Sequence, residues 1–158
     1  MNIFVVDNDP KIAATMLCDK HVVKMIVETA QMLCTAASKL GHDVPYRVTH
    51  KNHPCTIWAG ESLSNWLWLV DHGISMCEEY TKRYGRIHKT QSVIEWCRDS
   101  NISPIVDIGL TPFRLAMPDQ YKCSDPVKSY RDYYHGEKSH FAKWSKTKAP
   151  SWWNENEI

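Results

Sequence analysis

No run in this 158-residue chain approaches the roughly 18 apolar residues of a membrane-spanning helix. The sequence therefore predicts a soluble protein with no membrane partner. The start, Met1-Asn2-Ile3-Phe4-Val5-Val6-Asp7, has neither a basic opening nor a long apolar stretch, so it does not read as a secretory signal, and a cytoplasmic location is expected. Net charge is nearly absent: 19 basic against 18 acidic residues leave a formal +1, and bulk charge selects no class of partner. Internal repeats, low-complexity tracts and convincing β-hairpin signals are missing too, which excludes repeat arrays, flexible linkers and hairpin-built β folds. The six cysteines (18, 34, 55, 77, 97 and 123) are widely scattered and read as free, partly buried thiols in a reducing compartment.

What is present is helical periodicity. After a short extended piece at Ile3–Val6, Asp9-Pro10 gives an N-cap followed by proline at the first helical position. A helix through Ile12, Met16 and Leu17 leads into a second, ending near Gly41, with Cys18-Asp19 as a kink or a second cap. Pro54 opens another helix. Ser62 or Ser64 caps a longer one over about 63–84, closed by Gly85. A further helix covers about 90–99. Periodicity then vanishes from Asn101 to Ser124, predicting a long ordered loop. Asp125-Pro126 repeats the cap signal and opens a last helix over about 126–144, weakened at Gly136. The expected fold is all-α: a compact helical fold over 1–158, one domain, with a long ordered loop near 101–124.

The second helix carries a narrow polar stripe. Wound at about 100° per residue, it places Lys20, His21, Lys24, Glu28, Gln31 and Thr35 within roughly a third of its circumference, and nearly everything else is Val, Met, Ile, Leu or Ala. A helix apolar most of the way round is buried, and buried lysines beside a histidine and a glutamate are costly unless paired or used. The stripe therefore reads as the wall of a polar pocket. Lys24 and Glu28 are four apart and can pair. Lys20 and Lys24, also four apart, repel unless an anion lies between them. This suits a phosphate-bearing ligand with one carboxylate available for proton transfer.

Three further segments carry chemistry. The loop His50-Lys51-Asn52-His53-Pro54 offers two histidines, a lysine and an amide to phosphates or a base edge. Cys18 and His21 form a C-x-x-H pair near in kind to His50, His53 and Cys55, all ligand types that zinc takes. The spacings match no standard finger, and no metal or cofactor is assigned. Lys82-Arg83-Tyr84-Gly85-Arg86-Ile87-His88-Lys89 has four positive charges and no acid, and residues 122–148 hold six lysines and one arginine against three acids, with aromatics interleaved. Basic residues neutralise phosphates and aromatics stack on exposed bases, which marks Arg83 and Arg86 as phosphate contacts. Trp152-Trp153, in a polar tail, calls for a partner surface.

Several of these segments carry a resemblance. Cys18-Asp19-Lys20-His21-Val22-Val23-Lys24-Met25, Thr49-His50-Lys51-Asn52-His53-Pro54-Cys55, Glu79-Tyr80-Thr81-Lys82-Arg83-Tyr84-Gly85 and Thr111-Pro112-Phe113 are similar to segments of phage-encoded proteins. These group with the pyrimidine-dimer DNA glycosylases/AP lyases of the phage endonuclease V type. The resemblance spans almost the whole chain and is distant from the characterised glycosylase. It implies an all-α protein that grips duplex DNA, flips a nucleotide and cleaves its glycosidic bond, in a host cytoplasm if the chain is phage-encoded. By the same resemblance, an N-terminal α-amine attacks the sugar C1′, giving a Schiff base that β-eliminates. Carried over, that amine is Met1, or Asn2 if Met1 is removed. Lys20 and Lys24 sit where the family has phosphate-binding arginines, and Trp152 and Trp153 where it has DNA-contacting aromatics. His21 falls where the family has its catalytic glutamate, and Glu28, two turns further along the same face, is the carboxylate that can replace it. A free amine with a pKa near 8 is a competent nucleophile at neutral pH. A nucleic-acid binder without catalysis and an enzyme acting on free nucleotides are the alternative functions.

Overall fold

The computed structural model describes residues 1–102 and 105–154, and among them every regular element is helical. The elements are α1 (Pro10–Met16), α2 (Asp19–Lys39), α3 (Pro54–Glu61), α4 (Leu63–Tyr84), α5 (Gln91–Asp99), a 3₁₀ turn (Asp119–Tyr121), α6 (Pro126–Tyr133), a π-helical turn (Tyr134–Lys138) and α7 (Ser151–Asn154). The fold is compact and all-α. Its axis is α4, which packs against α1, α2, α3 and α5. Trp58, Trp66, Leu69, Met76 and Ile94 are fully buried around it. Burying each such side chain contributes roughly 1.5–3 kcal/mol.

Local chemistry sets most boundaries. Asp9 accepts from the Lys11 and Ile12 amides ahead of Pro10, and Asp125 from those of Val127 and Lys128 ahead of Pro126. Both occupy orphan donors of a first turn. Gly85 ends α4 in the left-handed conformation at φ +67°, where a Cβ is disfavoured. Ser62 stands at the cap of α4 without bonding its amides; its hydroxyl donates instead to Asp107. The second helix stops at Lys39, two residues before Gly41. The helix expected over 126–144 is shorter. It passes at Tyr134 into a π turn and ends by Lys138, so Phe141 and Trp144 lie beyond it. Segment 101–124 is irregular apart from the 3₁₀ turn where it is described, and residues 103 and 104 of that expected loop lie outside the described residues.

The N-terminal piece is extended but pairs with no strand. Ile3–Val6 runs through the core at 3% exposure or less. Asn2 anchors it: its side-chain oxygen accepts from the Ile3 amide at 2.8 Å, and its nitrogen donates to the Ala116 carbonyl at 2.8 Å. The Phe4 backbone sits at φ +60°, which costs a bulky residue free energy and marks a site the surroundings over-determine. Its ring is clamped between His21 (4.3 Å, stacked) and Tyr133 (5.9 Å).

Candidate active site

The polar stripe of α2 divides by depth. Lys20 and Lys24 reach solvent, Gln31 is half-buried, and His21, Glu28 and Thr35 are buried. The lysines expected to be buried are therefore solvated; the buried charge is that of Glu28. Because the N-terminal piece threads past α2, it delivers the Met1 amine to 3.0 Å from Glu28 Oε1. The second carboxylate oxygen is 3.9 Å from Lys24 Nζ and makes no hydrogen bond. A buried carboxylate oxygen without a donor is costly, and here it is free to accept one from a ligand.

This ion pair separates two cavities. One, of about 470 Å³, is lined by Met1, Val23, Lys24, Val27, Glu28, Gln31, His50 and His88. The other, of about 110 Å³, is bounded by Met1, Asn2, Lys24 and Glu28 on one side and by Phe4, His21, Tyr133 and Lys138 on the other. A concave, mostly apolar cavity with a few convergent polar groups is the usual form of a ligand site. Lys138 was not singled out by the sequence. It lines the smaller cavity because the π turn brings its ammonium over the rings of Tyr133 (4.9 Å), Phe4 (5.6 Å) and Phe141 (5.9 Å), and Lys20 lies over Phe141 at 4.9 Å. Only its place in a basic stretch could have marked it. Asn2 entered the sequence reading only as the amine-bearing residue if Met1 is removed, and nothing in the sequence marked its side chain as the anchor of the N-terminal piece.

Three histidines have roles that the sequence did not assign. The hydroxyl of Tyr134 accepts from the Cys18 amide at 3.2 Å and shares a 2.6 Å bond with His21 Nδ1. Burial, with Lys138, Lys24 and Lys20 nearby, lowers the His21 pKa to about 3. His21 is therefore a neutral wall of the smaller cavity at physiological pH. His53 caps α3 by accepting from the Cys55 amide at 3.1 Å. Burial first, then the Met1 ammonium, lowers its pKa, while the Met1 carbonyl beside it acts the other way. It touches the N-terminal residue and is not a free phosphate ligand. His88 accepts from the Thr90 amide at Nδ1 and so donates from Nε2 to the Val23 carbonyl, both at 3.0 Å. This straps the α4–α5 loop over α2.

Other expected contacts are placed as follows. His50, at φ +50°, lines the larger cavity, with its Nδ1 2.9 Å from the Thr49 hydroxyl. Lys51 and Asn52 are exposed on the same loop, and the Lys51 carbonyl accepts from Lys39. Arg86 is exposed and donates to the Tyr80 hydroxyl at 3.0 Å. Arg83 is the clearest correction. Its side chain is fully buried and donates to Glu79, Asp19 and the carbonyls of Leu17 and Thr15, so it ties α4 to the α1–α2 break and cannot meet a phosphate. Trp152 and Trp153 are corrected too. Trp152 is 6% exposed, with its indole N–H on Met16 Sδ, and Trp153 stacks on His135 at 4.8 Å. The partner surface these tryptophans called for is the protein's own C-terminal aromatic cluster. Among the described residues, no three His, Cys, Asp or Glu side chains gather as a metal site, and Cys18 and His21 spend their polar groups on Tyr134.

Fold and site together define a class: an all-helical protein whose own α-amine is paired with a buried glutamate in the wall of a ligand-sized cavity. The model of the pyrimidine dimer DNA glycosylase family matches residues 1–92, more than half of the chain, and the chain belongs to that family. The matched stretch contains Met1, Lys24, Glu28, Gln31, His50 and His88. Neither the curated proteins nor the solved structures compared with the chain contain a match.

Proposed function

We propose that this protein is a DNA glycosylase and AP lyase that binds duplex DNA and processes a damaged or modified pyrimidine nucleotide, with the Met1 amine as nucleophile and Glu28 as its proton partner. The observation that carries this reading is the 3.0 Å contact between the Met1 nitrogen and Glu28 Oε1 at the edge of the larger cavity. Attack requires the neutral amine, and Glu28 is placed to take the proton it sheds. The nitrogen lone pair forms a bond to C1′ while the C1′–base bond breaks. The bonding pair leaves with the base, which takes up a proton. Loss of one N–H proton and opening of the C1′–O4′ bond, with O4′ protonated, give a protonated imine. Loss of a C2′ proton then expels the 3′-phosphate. The nucleotide must leave the stack for C1′ to be reached.

The exposed ammonium groups of Lys20 and Lys24, with Lys138 across the smaller cavity, supply phosphate neutralisation beside the amine. Arg86, Lys51 and Asn52 extend that basic surface. No cofactor enters this chemistry. The reading also takes residues 1–158 as one domain, because Asn2 is bonded to Ala116, and Asp19 to Ser145.

Borohydride trapping on duplex DNA carrying pyrimidine dimers tests the proposal. The expected result is a covalent protein–DNA adduct that is lost when the α-amine is acetylated and falls at least tenfold in Glu28→Gln. No adduct across a broad panel of damaged and modified pyrimidines overturns it. Salt-sensitive duplex binding unchanged in Glu28→Gln would then favour a non-catalytic binder. Tight mononucleotide binding without duplex affinity would favour an enzyme of free nucleotides.

A further inference from the structure

An amine attacks only without its extra proton, and shedding that proton removes the Coulomb attraction that ties Met1 to Glu28. A holder that does not depend on charge must therefore keep the nitrogen in place when it is able to react. The first residue of a chain frays unless its neighbours are tied down. Asn2 is such a neighbour, and it is buried. Its carboxamide oxygen accepts from the Ile3 amide at 2.8 Å and from the Phe4 amide, two residues on, at 3.4 Å, the pattern of an Asx turn. Its carboxamide nitrogen donates to the Ala116 carbonyl at 2.8 Å. Ala116 is fixed in turn. Its amide donates to the Tyr130 hydroxyl at 3.3 Å, and that hydroxyl donates to the Arg114 carbonyl at 2.6 Å. Tyr130 is fully buried on α6.

We propose that Asn2 is a positioning residue for the amine: it sets where the Met1 nitrogen stands beside Glu28 by tying the start of the chain to Ala116, and through Tyr130 to α6. This rests on the lyase reading of the Met1–Glu28 pair. Both ends of the carboxamide are used, the oxygen to shape the turn and the nitrogen to fix that turn against a distant segment. The same turn helps hold Phe4 at φ +60°, a conformation that persists only where the surroundings over-determine it. His53 meets the other side of Met1: its Nδ1 accepts from the Cys55 amide, which leaves its Nε2 proton for the Met1 carbonyl. Displacing a reacting atom by about 1 Å can cost on the order of 100-fold in rate. Asn2 therefore acts through Met1 on the speed of the chemistry rather than on affinity for the duplex.

Two measurements test this, with Asn2→Leu as the variant. Leucine has about the size of asparagine without its hydrogen bonds, and it is large enough to leave Met1 on the chain, which the intact mass verifies. The first measurement follows borohydride-trapped adduct on a saturating duplex that already contains an abasic site. The rate should fall at least tenfold while duplex affinity changes less than twofold. Rate and affinity falling by the same factor make Asn2 merely structural, and an unchanged rate makes it irrelevant; both overturn the proposal. The second measurement needs no DNA. Limiting acetic anhydride should acetylate the α-amine of the folded variant severalfold faster than that of the wild type, read by mass spectrometry of the N-terminal peptide. Equal rates overturn the proposal even if the lyase chemistry is real. A wild-type protein that forms no adduct with the abasic duplex defeats the lyase reading instead, and the acetylation comparison then decides whether Asn2 holds the amine. If Asn2→Leu does not fold, Asn2→Asp carries both comparisons. It keeps the acceptor for Ile3 and Phe4 and loses the donor to Ala116, so its rate should fall at least threefold at unchanged affinity, and no fall overturns the proposal.

Discussion

His21 and His72 tie the fold to pH. Burial lowers their pKa values to about 3 and about 4, while unfolded histidines titrate near 6.5. His72 is fully buried, bonded through Nδ1 to the Pro10 carbonyl and packed on Trp68. Both must stay neutral in the folded protein, so their contribution is complete above pH 6.5. It is lost progressively as pH falls from there toward 3, because the unfolded chain takes up protons the folded one refuses. Urea melts at pH 7.5, 5.5 and 4.5 should show stability falling on the order of 1 kcal/mol per unit per histidine. The His21→Asn variant should show a shallower fall. A stability flat between pH 7 and 4.5 would contradict the burial of both rings. The sequence marked His21 by its stripe but could not reveal its neutral state, which depends on burial against Tyr134 and Phe4 and on Lys138 from another segment, as well as on Lys20 and Lys24 of its own helix.

At the scale of elements, the turn after α6 decides how the C-terminal third closes on the site. Gly136 lies in the π turn, and a Cβ there would fall 2.1 Å from the Tyr121 hydroxyl. Gly136→Ala should therefore destabilise the protein by about 1–3 kcal/mol. In an ordinary exposed helix the same change would stabilise it, since alanine has the higher helix propensity. Chemical denaturation of the variant reads the sign directly. Displacing this turn also moves Lys138 and Tyr134, so duplex affinity should fall with stability. The sequence located the weakness at Gly136 but extended the helix to 144. Phe141 and Trp144 keep helical spacing without a helix because their burial is set by contacts with His21, Tyr134 and Met16.

Across the whole molecule, the segment over 143–152 is tied back to the junction of the first two helices. The Asp19 amide donates to the Lys143 carbonyl, Asp19 accepts from the amide and hydroxyl of Ser145, and Trp152 closes over Met16. We therefore propose that the chain unfolds in one cooperative step. Circular dichroism and tryptophan fluorescence should give coincident melts, and two separated transitions would divide it into domains. Trp152→Ala should lower stability by roughly 3–5 kcal/mol in that single transition. Its effect on DNA binding should be no more than instability explains, because the indole faces the protein's interior.

Local rules governed what was legible from the residues alone. Caps and prolines placed the starts of α1, α3 and α6, Gly85 placed the end of α4, and 3.6-residue periodicity marked α2 and α4 as core helices. These signals act within a few residues, where hydrogen bonding and backbone sterics are set by near neighbours. The same periodicity put Lys20, Lys24, Glu28 and Gln31 on one face. Which of them are buried was decided only by tertiary structure, because depth depends on what packs opposite. The arrival of Met1 beside Glu28, the recruitment of Lys138, the burial of Arg83 and Trp152 and the stacking of Trp153 on His135 all depend on tertiary contacts that the sequence does not display. A polar or aromatic side chain near a site in sequence looks the same whether it is destined for a ligand or for a buried partner. Only the folded chain supplies that partner, as Glu79 and Asp19 do for Arg83 and as Tyr134 does for His21.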